Sequence, residues 1–214
     1  MVMSMDVPVV QAPAHAPRVF VVSGPSGVGK GTLIGALLES ANCPPRLTRC
    51  VTATTRERKP SEVEGTSYYF LTEQEFTRRV EQEWFLEWAF YNQNRYGTPR
   101  EEVDRHLAAG EDVLLEIEVQ GGLAVRRLLP ESVLVFVMPP SWQELERRLR
   151  ARARDSAEEI ERRLRTARDE LGKLTMYDYC VINDEVERGV DVLRAIVLAE
   201  RARLKRAGEP CRGQ

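Results

Sequence analysis

A chain of 214 residues with a net charge of −2 is long enough to bury its own core without disulfides or a structural metal, and it lacks the basic field of a dedicated nucleic-acid binder. Cys43, Cys50, Cys180 and Cys211 have no metal-ligand spacing, no apolar run approaches the ~18–20 residues of a membrane span, and the start lacks a signal-peptide pattern, so a cytoplasmic protein with free thiols is expected.

Residues 1–17, rich in Met, Pro and Ala, are expected to form a flexible leader. From Arg18 onward, β-rich apolar runs at Val19 to Ser23, Leu47 to Ala53, Asp112 to Val119 and Ser132 to Val137 alternate with helix-period segments at Leu33 to Glu39, Leu123 to Leu129 and Trp142 to Ala153. This alternation predicts an α/β fold with a parallel sheet flanked by helices. Residues 54–98 interrupt it with aromatic, alternating runs around a helix expected over Glu73 to Glu81 behind a Thr72 cap, and read as a small mixed subdomain inserted into a core of residues 18–53 and 99–207. A helical pair at about 144–168, dense in arginine and broken near Asp155-Ser156, forms a second interruption. A last helix is expected from Val186 to Lys205, and residues 208–214 form a short tail.

The most informative segment is Gly24-Pro25-Ser26-Gly27-Val28-Gly29-Lys30-Gly31-Thr32, between a strand and a helix. Glycines there let backbone N–H groups converge on phosphate oxygens at a helix N-terminus, and Lys30 adds a mobile ammonium, the arrangement of a P-loop for a nucleoside triphosphate. Gly31 stands where a Mg²⁺-binding Ser or Thr is usual, and the hydroxyl comes one place later, at Thr32. A metal held mainly by phosphate and water follows.

Thr52 to Lys59 places hydroxyls and the cations Arg56, Arg58 and Lys59 at a predicted strand end, where, together with Tyr68, they suit a second, smaller phosphate. A solvated basic turn is the competing reading. Glu87, set among Trp84, Phe85 and Trp88, and followed by Arg95-Tyr96-Gly97-Thr98, offers two adjacent acceptors matching the N1–H and 2-amino donors of guanine. With Thr52 and Thr98 it forms a base-reading set, against the alternative of an outward strand residue paired with a cation. Arg148 and Arg152, one helical turn apart, and Arg163 beyond the break suit a cationic helical pair over a transferring phosphoryl group, or else a solvated face balanced by neighbouring glutamates. Glu116 and Glu118 are expected on one face of the Asp112 to Val119 strand, where Arg56, hydrated Mg²⁺ or nucleotide donors are candidate partners. His15 and His106 read as inert.

In this order, from Arg18 to about Lys205, the motifs resemble those of guanylate kinases in the nucleoside monophosphate kinase group. The resembling elements are Gly24 to Thr32, Thr52 to Arg56, Gly65 to Tyr68, Phe85 to Trp88, Tyr96 to Thr98, Gln120-Gly121, the three lid arginines and Ile182-Asn183-Asp184. The resemblance implies a P-loop kinase core with an inserted GMP-binding subdomain and a helical lid. It implies ATP binding by Gly24 to Thr32 and Asn183, and GMP binding by Thr52, Arg56, Lys59, Tyr68, Glu87, Tyr96, Thr98 and Glu118. Lys30, Arg56, Arg148, Arg152 and Arg163 are implied to be catalytic, with Mg²⁺ arriving with ATP near Thr32 and Glu118 through water. ATP and GMP are then the partners, with no nucleic acid or membrane, and monomer or homodimer left open. Lys59 for Arg, Arg58 for Pro, Ser61 for Gly and Glu118 for Asp depart from the family pattern. The alternatives are a catalytically silent protein-binding module of this type or a P-loop kinase with another phosphorylated acceptor.

Overall fold

The computed structural model describes residues 16–91, 93–151 and 156–203. β1 (Val19–Ser23) is the middle strand of an all-parallel sheet whose other members are β2 (Leu47–Arg49), β7 (Asp112–Glu116), β8 (Val133–Met138) and β9 (Tyr179–Ile182), in the order β2-β7-β1-β8-β9. All five β1 residues are buried, which explains why this segment is a continuous apolar run rather than an alternating one. On one face Phe20 and Val22 pack with Leu33, Ile34 and Leu37 of α1 (Lys30–Glu39) and Leu193, Ile196 and Val197 of α7 (Val186–Ala202). On the other, Val19 and Val21 meet Val103 of α3 (Arg100–Ala108) and Val125 of α4 (Val119–Leu128).

A second sheet has the order β4-β3-β6-β5, built from β3 (Ala53–Thr54), β4 (Tyr69–Phe70), β5 (Phe85–Tyr91) and β6 (Asn94–Pro99). Its small core stacks Phe76 of α2 (Glu73–Glu81) on Phe85 at 4.4 Å between ring centres. The α2 start is as the sequence predicts: Thr72 accepts from the Glu75 N–H and the Glu75 carboxylate returns to Thr72 N, a capping box. α5 (Trp142–Arg150) and α6 (Ala157–Leu171) form the arginine-rich pair, α6 opening on a Ser156–Glu159 capping box.

Three sequence expectations change. The strand expected over Leu47 to Ala53 is two strands, β2 and β3, in different sheets, because the chain leaves the parallel sheet after Arg49 and Thr52 O then accepts from Tyr69 N. The strand expected to reach Val119 stops at Glu116, and Glu118 is the N-cap of α4, accepting from Gly121 N. β9 has no counterpart among the strands expected from the sequence; it adds the parallel edge beside β8. The leader up to residue 15, the tail, Lys205 and Ala153 lie outside the described residues.

Gly24 fixes how the loop leaves the sheet. Its φ of 142° is open to glycine, and a Cβ there would lie 2.2 Å from the Val137 carbonyl oxygen, a backbone atom that cannot swing aside. Gly24→Ala is therefore expected to cost at least ~2 kcal/mol of stability, read as a lowered urea midpoint at unchanged slope.

Candidate functional site

The loop Gly24 to Gly29 runs from the end of β1 into α1, with Gly29 as N-cap at φ 94°, ψ 25°. α2, α4, α5 and α6 have side-chain caps on their first-turn N–H groups, but α1 has none and no acidic residue in its first turn. Its first-turn N–H groups and dipole thus suit an anion. Lys30 Nζ rests on the loop's own carbonyls, 2.5 Å from Gly24 O and 3.2 Å from Pro25 O. Asn183, buried after β9, donates its amide to Val28 O at 2.6 Å, and its Nδ2 lies only 2.4 Å from where a Gly29 Cβ would be. Asn183 thus braces the loop from behind. Arg148 does the same from α5, with Nη1 3.3 Å from Val28 O and Nη2 3.1 Å from Asn183 O, while its Nε donates to Glu144.

In front of the loop lies a cavity of about 390 Å³ that joins the two sheets. The loop side contributes Ser26, Gly27, Gly29, Lys30, Gly31 and Thr32; the second sheet and its flanks contribute Thr52, Lys59, Tyr68, Glu87 and Tyr96; Glu116 at the end of β7, with Ile117 and Glu118 after it, completes the lining. Of the residues expected to bind the second ligand, Arg56 and Thr98 do not line the cavity but stand directly behind residues that do. Arg56 places its guanidinium 5.5 Å from the Tyr68 ring centre and is held by Glu62 at 2.7 Å, whose other oxygen accepts from Lys59 N at 2.8 Å. Glu62 therefore ties the Arg56 guanidinium to the backbone at Lys59. Burial pushes the Tyr68 hydroxyl up to about 12, so it remains a protonated donor at neutral pH.

Glu87 is the central acceptor. It is only 7% exposed, and Thr98 Oγ1 donates to its Oε1 at 2.6 Å across the β5–β6 hairpin. The outward, ion-paired alternative is thereby replaced by a buried hydrogen-bonded carboxylate. Its second oxygen lies near Glu118 Oε1: a Cβ on Gly121 would sit 2.8 Å from the former and 2.7 Å from the latter. Burial first, with the Glu118 charge adding to it, raises the Glu87 carboxyl to about 7 despite the Thr98 hydrogen bonds. Burial likewise raises Glu118 against the Gly121 and Gln120 N–H groups.

A ligand presenting paired N–H donors requires the ionised acceptor, so binding below about pH 7 must release the proton that free Glu87 holds. GMP affinity is accordingly expected to strengthen as pH rises from 6 to 8 and then level off. Because the GMP phosphate itself titrates near ~6, the check is calorimetric affinity in wild type against Glu87→Gln, where only the phosphate component of the pH dependence should remain.

Sequence reasoning did not single out Arg49, Tyr91 or Glu170 for this neighbourhood. Arg49 Nη2 lies 2.8 Å from Glu116 Oε2. Tyr91 lines the cavity beside Ser26, and the Arg163 charge from α6 acts on it. Glu170, at the end of α6, is buried with Oε2 lacking a hydrogen-bond partner, and burial raises it to about 7 against the nearby Lys30 charge. Arg152 lies outside the described residues.

The donor set suits a divalent cation carried in by phosphates. Glu116 Oε2 is paired with Arg49, while its Oε1 lies 3.1 Å from a Gly31 Cβ position, and Thr32 lines the same cavity. Glu118 is committed to capping α4. These groups fit outer contacts through water rather than an all-protein cage.

A glycine loop between a parallel strand and an uncapped helix, facing a second polar wall across one cavity, defines a P-loop protein of the nucleotide-kinase type. The family model described as guanylate kinase matches residues 16–200, and the chain belongs to the guanylate kinase family. Among its relatives are a guanylate kinase of Thermus thermophilus, 48% identical over 192 residues spanning 90% of this chain and 86% of that one, and a guanylate kinase of Caldanaerobacter subterraneus subsp. tengcongensis, 46% identical over 87% and 89%. The crystal structure of a guanylate kinase from Anaplasma phagocytophilum superposes with a TM-score of 0.74 at 30% identity, covering 88% of each chain.

Proposed function

We propose that the protein is an ATP:GMP phosphotransferase, which moves the γ-phosphoryl group of ATP reversibly onto the 5′-phosphate of GMP, giving ADP and GDP. The observation that carries this reading is the buried Glu87–Thr98 pair opening into the same cavity as the P-loop. A buried carboxylate oxygen left without matching donors rejects a base that lacks them, and such polar mismatches discriminate by roughly 10⁴-fold.

The acceptor needs no general base, because a phosphate monoester with a second pKa near ~6 is already largely dianionic at neutral pH. An oxygen of the GMP phosphate attacks the γ-phosphorus in line, the bond from that phosphorus to the β–γ bridging oxygen breaks, and ADP leaves with the electron pair. The task of the chain is to bring two anions together. The first-turn N–H groups of α1 and Lys30 hold the donor phosphates, Arg56, Lys59 and Tyr68 hold the acceptor phosphate, and Glu87, Thr98, Thr52 and Tyr96 seat the guanine. Arg148 and Arg163, with Arg152, supply cations from the lid side. Glu116, Thr32 and Glu118 would meet the water shell of a Mg²⁺ ion carried in by ATP, which would supply neutralisation of phosphate charge. Residues 54–98 are proposed as the GMP-binding subdomain and 144–168 as the lid of an enzyme of purine nucleotide metabolism in the cytoplasm.

The test is ADP release with ATP and Mg²⁺ in the presence of GMP, AMP, CMP or UMP. GMP-dependent turnover at least ~10³-fold above the other acceptors supports the assignment; equal use of AMP, or ATP binding without turnover, overturns it.

A further inference from the structure

Arg49 closes β2 at the carboxyl edge of the parallel sheet, where ligands of open α/β sheets sit. Its register partner on β7 is Leu114, so Glu116 comes two residues further along the same edge. The two side chains form an ion pair, with Arg49 Nη2 2.8 Å from Glu116 Oε2. Glu116 lines the cavity together with Tyr68, Lys59 and Gly31. Tyr68, on this wall, lies within electrostatic reach of both Glu116 and Arg49, though Arg49 itself stands outside the cavity lining. The Arg49 side chain is 36% exposed. Lys59, the cation that lines this wall, is a point charge without the fork that meets two phosphate oxygens at once.

We infer that Arg49 is a further acceptor-phosphate ligand, donating its guanidinium fork to the phosphate monoester of the nucleotide in the cavity while Glu116 anchors it at the rim. The inference rests on reading this cavity as the GMP site. A charge-assisted fork to a phosphate dianion is stronger than a neutral hydrogen bond, and its loss should fall on GMP binding more than on ATP.

Steady-state kinetics of wild type, Arg49→Ala, Arg49→Lys and Arg49→Ala/Glu116→Gln provide the test, with thermal melting of each as the fold control. Arg49→Ala is expected to raise the KM for GMP roughly 10- to 100-fold and to change the KM for ATP less than about threefold. Arg49→Lys should recover only part of the loss, since an ammonium restores charge without the fork. The double variant should remain impaired. A GMP KM within about twofold of wild type in Arg49→Ala overturns the inference. So does recovery in the double variant, which would reduce Arg49 to a counter-charge for Glu116. Wild type that fails to use GMP removes the parent reading and this inference with it; normal wild-type turnover with an unaffected Arg49→Ala removes this inference alone.

Discussion

Lys30→Ala is expected to lower kcat for GMP-dependent ADP formation roughly 10³-fold while leaving the melting temperature nearly unchanged. The ammonium donates to the Gly24 and Pro25 carbonyls of its own loop and its charge also acts on Glu118 and Glu170, so melting is measured beside kinetics. Its effect belongs to the reaction, in which charge accumulates on the oxygen bridging the β- and γ-phosphates as the bond to the γ-phosphorus breaks. A cation brought to that oxygen is worth more in the transition state than in the ground state, so kcat should fall further than the KM for ATP rises. The α1 N–H groups survive the substitution and continue to bind triphosphate. Turnover within ~10-fold of wild type in a folded variant would remove Lys30 from the mechanism.

The second large effect is expected at Glu87. Glu87→Ala should lower kcat/KM for GMP by about 10³- to 10⁴-fold, leave ATP affinity within a few-fold, and flatten the preference for GMP over AMP. Two consequences of one deletion combine here. The guanine donors lose their paired acceptor in a pocket that excludes most water, and the buried Thr98 hydroxyl loses the oxygen it donates to at 2.6 Å. The second also costs stability, on the order of 1–3 kcal/mol, so melting must be measured beside kinetics. Opposing that loss, removing Glu87 relieves its charge against Glu118 and takes away a carboxyl that burial already holds near neutral. Parallel loss of GMP and ATP binding would show a collapsed cavity and sink the base-reading assignment.

The two residues differ in how far the sequence alone reveals them. Lys30 is legible because everything that positions it is local: an apolar run, glycines at fixed spacing and a helix start within about a dozen residues. Glu87 is not. Strand alternation offers either face, and the β5–β6 register shifts between Phe85 and Glu87, so that Phe85, Leu86 and Glu87 are all buried in succession. A bulge of that kind breaks the period of two on which any sequence reading of strand faces depends. Glu118 fails for a related reason. Its alternation with Glu116 looks like strand, but the chain turns into α4 at Val119, and the carboxylate becomes a helix cap instead of a second strand-face acid. Arg49 is a lone cation at a strand end, and nothing near it in sequence announces Glu116, which β7 delivers to it across the sheet edge.

The parallel α/β core, the phosphate-binding loop and the Thr72-capped α2 were legible in the sequence, because apolar period, glycine spacing and caps act over a few residues, whereas the capping box of α6 emerged only with the structure. Only the tertiary structure decided which face Glu87 takes, where β7 ends, how Asn183 and Arg148 brace the loop from behind, and which cation meets Glu116. Those outcomes depend on register and on contacts between segments separated by up to 155 residues, as between Asn183 and Val28, and chain proximity carries no information about them.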